Sequence, residues 1–220
     1  MSIPLTLSEK RAESALRKLS VLVVDGNETI RELVTKVLGH LGFKMIDQAT
    51  DGFEAIKIMQ SKRIDLIVTD WELSFSATGE KPSPFPKEKE EEEESSDSLE
   101  MDWGEFPPDN GANFVKHIRS NVRSPNRFVP IIMLTGPTKP DAVIYARDSG
   151  VNEVLMKPLD SRNLCNRIIN IIEKPRPFVT GTGYQGPCRR RKEMGWGGRE
   201  ERRTHRIEII KFQDHKGMSE

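Results

Sequence analysis

The chain has 220 residues, enough for one ordinary domain with extensions. Only 35% of it is hydrophobic and 31% is charged, so less of it is core than in an average globular domain. The formal net charge is zero. That balance hides an acidic block between Ser74 and Asn110, with Glu88 and the run Glu90 to Glu94, and a basic block between Arg189 and Arg206. No secretory leader and no apolar run of membrane-spanning length is visible, so a soluble, cytoplasmic protein is expected. The only two cysteines are Cys165 and Cys188, which excludes a disulfide-built scaffold.

In chain order, the first signal is a short amphipathic helix before Ser20. Ala12, Ala15, Leu16 and Leu19 share one face, and Thr6 with Glu9 forms a candidate capping box. An N-terminal helical extension over residues 1–19 is expected to lie on the domain. From Val21 onward, apolar runs of strand length alternate with helical patterns. The helical segments are Thr29–Leu41, Gly52–Ser61, Gly111–Arg119, Pro140–Asp148 and Asp160–Glu173, with Gly42 and Gly150 placed as C-terminal stops. Met45 to Ala49 is the least apolar strand and suits a sheet edge. Alternation of this kind predicts an α/β fold, a doubly wound parallel sheet with right-handed crossovers in the flavodoxin-like order 2-1-3-4-5.

Residues 74–110 interrupt the alternation. They are rich in Pro, Ser and Glu, with isolated Phe85, Trp103 and Phe106, and too polar to bury a core of their own. A largely disordered insertion is predicted, with Trp103 and Phe106 as candidates for local docking. Pro175 and Pro177 end the last helix. Residues 178–220 are read as an arginine-rich, mostly disordered tail, whose stretch from Ile207 to Phe212 has strand-like apolar residues but too little else to fold alone. A weak near-repeat runs through it. Tyr184-Gln185-Gly186-Pro187-Cys188-Arg189-Arg190 is followed by Trp196-Gly197-Gly198-Arg199-Glu200-Glu201-Arg202-Arg203.

Four of the apolar runs end in a polar residue: Asp25, Asp70, Thr135 and Lys157. Strand C-termini of an open parallel sheet converge on the ligand crevice. One such residue is commonly no more than a cap. Two carboxylates, a hydroxyl and an ammonium brought together make a site for a divalent metal and a phosphoryl group.

The motifs VLVVDGNETIR, DLIVTDWEL, DNGANFVKHIR, PIIMLTG and GVNEVLMKPLD occur in the order found in response-regulator receiver domains of the CheY type, which residues 20–177 resemble. The resemblance implies that Asp70 is the phosphoacceptor, that Thr135 contacts the phosphoryl group, and that Lys157 bridges it to the acidic pocket. It implies Mg²⁺ as cofactor, held by Asp25, Asp70 and the backbone carbonyl of Glu72. It also implies a cis bond before Pro158.

Two positions depart from the pattern. The second acid after the first strand is replaced by Gly26, for which Glu28 or the Glu72 side chain is a candidate substitute. The aromatic switch position holds Val154.

The function expected is that of a stand-alone two-component response regulator. It takes a phosphoryl group from a histidine kinase or phosphotransfer protein and signals by protein–protein interaction. The downstream target would be a protein, of which flagellar or chemotaxis machinery is one candidate. No conventional DNA-binding output domain is recognised, and Glu193, Glu200 and Glu201 dilute the basic field, so DNA binding is not expected. No nucleophile–base pair stands beside the pocket, so the chain is not read as an enzyme beyond its own phosphoryl transfer and dephosphorylation. Two other readings stay open. Arg189, Arg190, Arg191, Arg202, Arg203 and Arg206 are candidates for binding a phosphorylated ligand such as cyclic di-GMP. The alternative is a pseudo-receiver scaffold that works without phosphorylation.

Overall fold

The computed structural model describes residues 16–73, 110–136, 140–181, 183–189 and 208–210. Five short strands, β1 (Ser20–Val24), β2 (Met45–Ala49), β3 (Leu66–Asp70), β4 (Ile131–Thr135) and β5 (Glu153–Met156), alternate with five helices. These are α1 (Glu28–His40), α2 (Gly52–Ser61), α3 (Gly111–Ser120), α4 (Pro140–Ser149) and α5 (Ser161–Glu173). The strands form one parallel sheet in the order β2-β1-β3-β4-β5, as expected. Met45 to Ala49 does lie at the edge.

Every residue of β1, β3 and β4 is buried, because helices cover both faces of the sheet. The alternation of side chains divides the core in two. Leu22, Val24, Ile67, Ile131 and Met133 pack with Ala55, Ile56 and Met59 of α2, Phe114, Val115 and Ile118 of α3, and Ala146 of α4. Val21, Val23, Leu66, Val68, Ile132, Leu134 and Leu155 pack with Val34 and Leu38 of α1 and Leu164, Ile168 and Ile171 of α5.

Local chemistry fixes the helix ends. Asn27, Asp51, Asn110 and Asp160 each accept a backbone N–H at the N-terminus of a helix. Gly42 and Gly150, both at φ 103°, follow α1 and α4 in the left-handed region, where the chain turns back toward the sheet. Leu16 and Leu19 lie against the α1–α5 side of the core. The rest of the expected N-terminal helix, including Thr6, Glu9, Ala12 and Ala15, lies outside the described residues. So do the acidic insertion from Ser74 to Asp109, with Trp103 and Phe106, and most of the tail.

Residues 178–189 correct the expectation of a disordered tail from residue 178 onward. Phe178–Gly181 (β6) and Tyr184–Pro187 (β7) form an antiparallel hairpin, with Gly183 in the turn at φ 89°. Glu208–Ile210 (β8) pairs with β6 on its other side, giving a second sheet of order β7-β6-β8. The hairpin has almost no core of its own and borrows one from the α/β domain. Two glycines meet where it docks: a Cβ on Gly150 would come within 2.6 Å of the Gln185 carbonyl oxygen, and one on Gly186 within 2.7 Å of the Gly150 Cα. Phe178 is buried and packs edge-to-face on Phe128, with ring centroids 4.8 Å apart.

Beneath the hairpin lies Arg119, in the last turn of α3 and only 1% exposed. Its Nε donates to the Gly150 carbonyl at 3.1 Å. Its Nη1 donates to the carbonyls of Arg127 and Val129, both at 2.7 Å, and its Nη2 to Asn152 Oδ1 at 3.3 Å. The guanidinium also stands 5.3 Å from the Phe178 ring centroid. Burial pulls its pKa down to about 9, so it remains charged at neutral pH. Among the described residues no carboxylate is a hydrogen-bond partner of it; four neutral oxygens replace its hydration.

Replacing Arg119 by Met strands those acceptors while keeping most of the volume. Urea denaturation of Arg119→Met should give a stability loss of about 3 kcal/mol or more. A loss under about 0.5 kcal/mol, the range of an ordinary surface change, would contradict this role.

Candidate phosphoacceptor site

The four strand-end residues converge. Asp70 is the last residue of β3, Thr135 the last of β4, Asp25 follows β1 directly, and Lys157 follows β5. Asp25, Asp70 and Thr135 are all buried. Lys157 reaches in from the β5–α5 loop, its Nζ 3.0 Å from Asp25 Oδ2 and 2.9 Å from Asp70 Oδ1. Its backbone is held as well: its N–H donates to the Thr135 carbonyl at 2.6 Å, and the bond to Pro158 is cis.

Each carboxylate has one oxygen fixed by a neighbouring backbone amide. The Asn27 N–H donates to Asp25 Oδ1 at 2.8 Å. The Trp71 N–H donates to Asp70 Oδ1 at 2.8 Å, and also to the Leu134 carbonyl at 2.8 Å. Asp70 Oδ1 therefore carries both the ammonium and an amide, while Oδ2 accepts no hydrogen bond among the described residues. Arg31 of α1 donates to the Asp25 carbonyl at 2.7 Å and fixes the backbone from which Asp25 projects. Thr135 donates to the Gly136 carbonyl at 3.3 Å, and nothing lies within 4 Å of where a Gly136 Cβ would stand. The helix that follows, α3, starts close to the end of β3. A Cβ on Gly111 would lie 2.0 Å from the Asp70 carbonyl oxygen, so only glycine fits there. The Gly111 N–H donates to the Trp71 carbonyl at 2.7 Å.

Two influences oppose each other on Lys157. Desolvation by burial lowers its pKa, but the hydrogen bonds and charges of Asp70 and Asp25 outweigh it, and the pKa is raised. The ammonium is thus secured at neutral pH.

The remaining expected site residues are dispersed. Glu28 opens α1 with its side chain exposed, and the Glu72 side chain is exposed beside Asp70. Among the described residues no group of three or more His, Cys, Asp or Glu side chains is gathered for a metal. The carboxylates of Asp25 and Asp70 nonetheless fit Mg²⁺, which is commonly held by one or two carboxylates with water and phosphate filling the other positions. Val154 faces the α2–α3 side of the core, partly buried. Of the candidate anion-binding arginines only Arg189 is described. It stacks on the Tyr184 ring, 3.8 Å from its centroid, and its Nη1 is 3.4 Å from Asp148 Oδ1. Arg190, Arg191, Arg202, Arg203 and Arg206 lie outside the described residues. The sequence reading missed Trp71, Asn27 and Arg31, which hold the acids from the backbone side. Trp71, as the residue directly after Asp70, is the one with a sequence signal.

A family model for the response regulator receiver domain matches residues 21–79. Chemotaxis protein CheY-3 of Vibrio cholerae is 25% identical over 163 residues, covering 74% of this chain and 98% of that protein. Chemotaxis protein CheY of Pseudomonas aeruginosa is 25% identical over 156 residues, covering 71% of this chain and 98% of that one. The chain is thus similar to receiver domains of the CheY type. Among solved structures, a putative response regulator from Chloroflexus aurantiacus superposes with a TM-score of 0.51 at 22% identity, over 71% of this chain and all of that one. A two-component response regulator from Clostridium difficile gives the same score and identity over 71% of this chain. That similarity is consistent with a part in two-component signalling. Among the described residues no helix is long and apolar enough to cross a membrane.

Two predictions follow from the pocket. A Cβ at Gly26 would meet nothing nearer than the Thr50 carbonyl oxygen at 3.8 Å, and Gly26 is not at positive φ. Gly26→Asp should therefore be accommodated and should tighten Mg²⁺ binding about tenfold, roughly 1.4 kcal/mol, measured by calorimetric titration. The second concerns pH. Because the folded-state pKa of Lys157 lies above its unfolded value, its contribution to stability is complete below the ordinary lysine pKa and disappears as pH rises through the raised folded value. The stability difference between wild type and Lys157→Met should be constant from pH 6 to about 9 and shrink only in more alkaline solution.

Proposed function

We propose that Asp70 accepts a phosphoryl group from the phosphohistidine of a histidine kinase or phosphotransfer protein, and that the phosphorylated receiver acts by binding another protein. The observation that carries this reading is the asymmetry of the Asp70 carboxylate: Oδ1 is held by Lys157 and the Trp71 amide, and Oδ2 is left for a reacting group. In the transfer, Asp70 Oδ2 forms the new O–P bond as the P–N bond to the donor imidazole breaks, and the imidazole leaves carrying the electron pair of that bond. The transferring group carries its charge on three equatorial oxygens. Lys157 is placed to offset that charge, and the Thr135 hydroxyl, at the end of the next strand, is placed to hydrogen-bond one of the oxygens.

Asp25 and Asp70, with the Glu72 backbone carbonyl, are the residues that would hold Mg²⁺. The ion supplies further neutralisation of the phosphoryl oxygens. Asp25 also keeps Lys157 aimed inward, since its Oδ2 accepts from the ammonium. Support for a protein partner as output comes from the curated relatives, which match over nearly their whole length. It comes also from the exposed apolar side chains Val143 and Ile144 on α4, Met156 on β5 and Ile169 on α5.

The reading is tested with acetyl phosphate and Mg²⁺, followed by intact mass. A phosphate-sized gain should appear in the wild type and drop to background in Asp70→Asn. Absence of a gain in the wild type, under conditions that modify a control receiver, removes phosphotransfer from the function and leaves a scaffold.

A further inference from the structure

A cleft of about 570 Å³ opens at the N-terminal edge of the parallel sheet, away from the rim that carries Asp70. One wall is the end of α2 and the residues leading to β3, from Met59 to Ile64. The other is the loop before β4, from Ser124 to Phe128. Its volume is that of a small-molecule site. Buried Met59 and Ile64 give it apolar lining. Lys62, Arg63 and Arg127 line it as well, and among the described residues no carboxylate does.

The loop wall is built in advance. The Phe128 N–H donates to Asn126 Oδ1 at 3.0 Å, the Ser124 N–H to the Asn121 carbonyl at 3.1 Å, and buried Arg119 to the Arg127 carbonyl at 2.7 Å. The hairpin steadies the Arg127 side chain, whose Nη2 donates to Gln185 Oε1. Its buried Nε has no hydrogen-bond partner among the described residues, and neither has the buried Ser124 Oγ. Unanswered buried polar atoms are costly. A group rich in acceptor oxygens, seated against this loop, would answer both after a small turn of either side chain. On the facing wall Lys62 pairs with Asp47 and Arg63 with Asp65, but Lys62 is 48% and Arg63 72% exposed. Exposed pairs are weak and give way to a better partner. Three cations against those two carboxylates leave one net positive charge at the cleft.

We propose that this cleft binds a small phosphate ester with a planar organic body, of the size of a nucleoside monophosphate. Arg127 and Arg63 take the phosphate, because a guanidinium offers paired donors that match its oxygens, and Lys62 adds a point charge. The body lies along Phe128, Met59 and Ile64. A planar body suits the wall, where the Arg127 guanidinium and the Phe128 ring, 5.7 Å apart, are both flat groups on which rings stack. The site is independent of the phosphoacceptor reading, since none of its residues belongs to the strand-end pocket.

The test is calorimetric titration of the full chain, in the presence of EDTA, with AMP, GMP, adenosine and inorganic phosphate. AMP or GMP should bind at one site. Adenosine, which lacks the charge, and inorganic phosphate, which lacks the body, should each bind about tenfold more weakly or worse. Arg127→Gln should weaken nucleotide binding about tenfold or more, as expected for a lost charged hydrogen bond. Arg63→Gln alters an exposed side chain and keeps the test decisive if Arg127→Gln folds poorly; it should weaken binding about threefold. Arg147→Gln, on the exposed surface of α4, and Asp70→Asn should bind as the wild type does. Failure of both nucleotides to bind at up to about 1 mM overturns the proposal. So does inorganic phosphate binding as tightly as the nucleotides, or an unchanged affinity in a folded Arg127→Gln or in Arg63→Gln. Weakened binding in Arg147→Gln would show general charge attraction, and weakened binding in Asp70→Asn would place the nucleotide at the strand-end pocket; either result overturns it too.

Discussion

One ammonium group organises the pocket. Lys157 is bonded to Asp25 and Asp70 at once, and without it two buried carboxylates would face each other at the ends of neighbouring strands. Like charges so placed repel each other. The ammonium between them offsets that repulsion. The lysine also joins the edge of the sheet to its centre, because its backbone is bonded to Thr135 of β4 while its side chain crosses to the acids beyond β3 and β1. The parallel sheet is what makes this reach possible: all five strands deliver their C-termini to one rim.

A second buried cation stabilises the opposite side of the molecule by different means. Among the described residues Arg119 has no carboxylate partner and is solvated by carbonyl and amide oxygens from the end of α4, the loop before β4 and the start of β5. A buried ion held in this way costs several kcal/mol to desolvate, and the recovered energy depends on every donor finding an acceptor. It therefore specifies the arrangement of those loops more than it stabilises the fold in total. The hairpin completes the shell, with Phe178 over the guanidinium and Gly186 against Gly150. Two positively charged side chains thus organise two regions, one at the strand-end pocket and one sealed beneath a hairpin.

This division explains what was legible in the sequence. The sheet order and the positions of Asp25, Asp70, Thr135 and Lys157 could be read because each strand is a short apolar run ending in a polar residue, a local pattern. The helix ends could be read because Asn27, Asp51, Asn110 and Asp160 cap by contacts within three residues. Arg119 could not, since an arginine in the last turn of a helix reads as solvated. Its burial is imposed by Gly150, Val129 and Asn152, all remote in sequence. The hairpin was missed for the same reason. Phe178-Val179-Thr180-Gly181 is too short to register as a strand alone, and the contact that fixes it, Gly186 on Gly150, is non-local.

The glycine at position 26 alters the balance of the pocket rather than merely weakening it. Asp25 and Asp70 contribute two negative charges and Lys157 one positive, where the receiver pattern adds a third acid. Removing a carboxylate weakens the attraction for a divalent cation about twice as much as that for the monovalent ammonium, since Coulomb energy scales with the product of charges. It reduces the repulsion of an incoming phosphoryl dianion by the same factor. On the phosphotransfer reading, that balance gives more weight to Lys157, which already engages both acids.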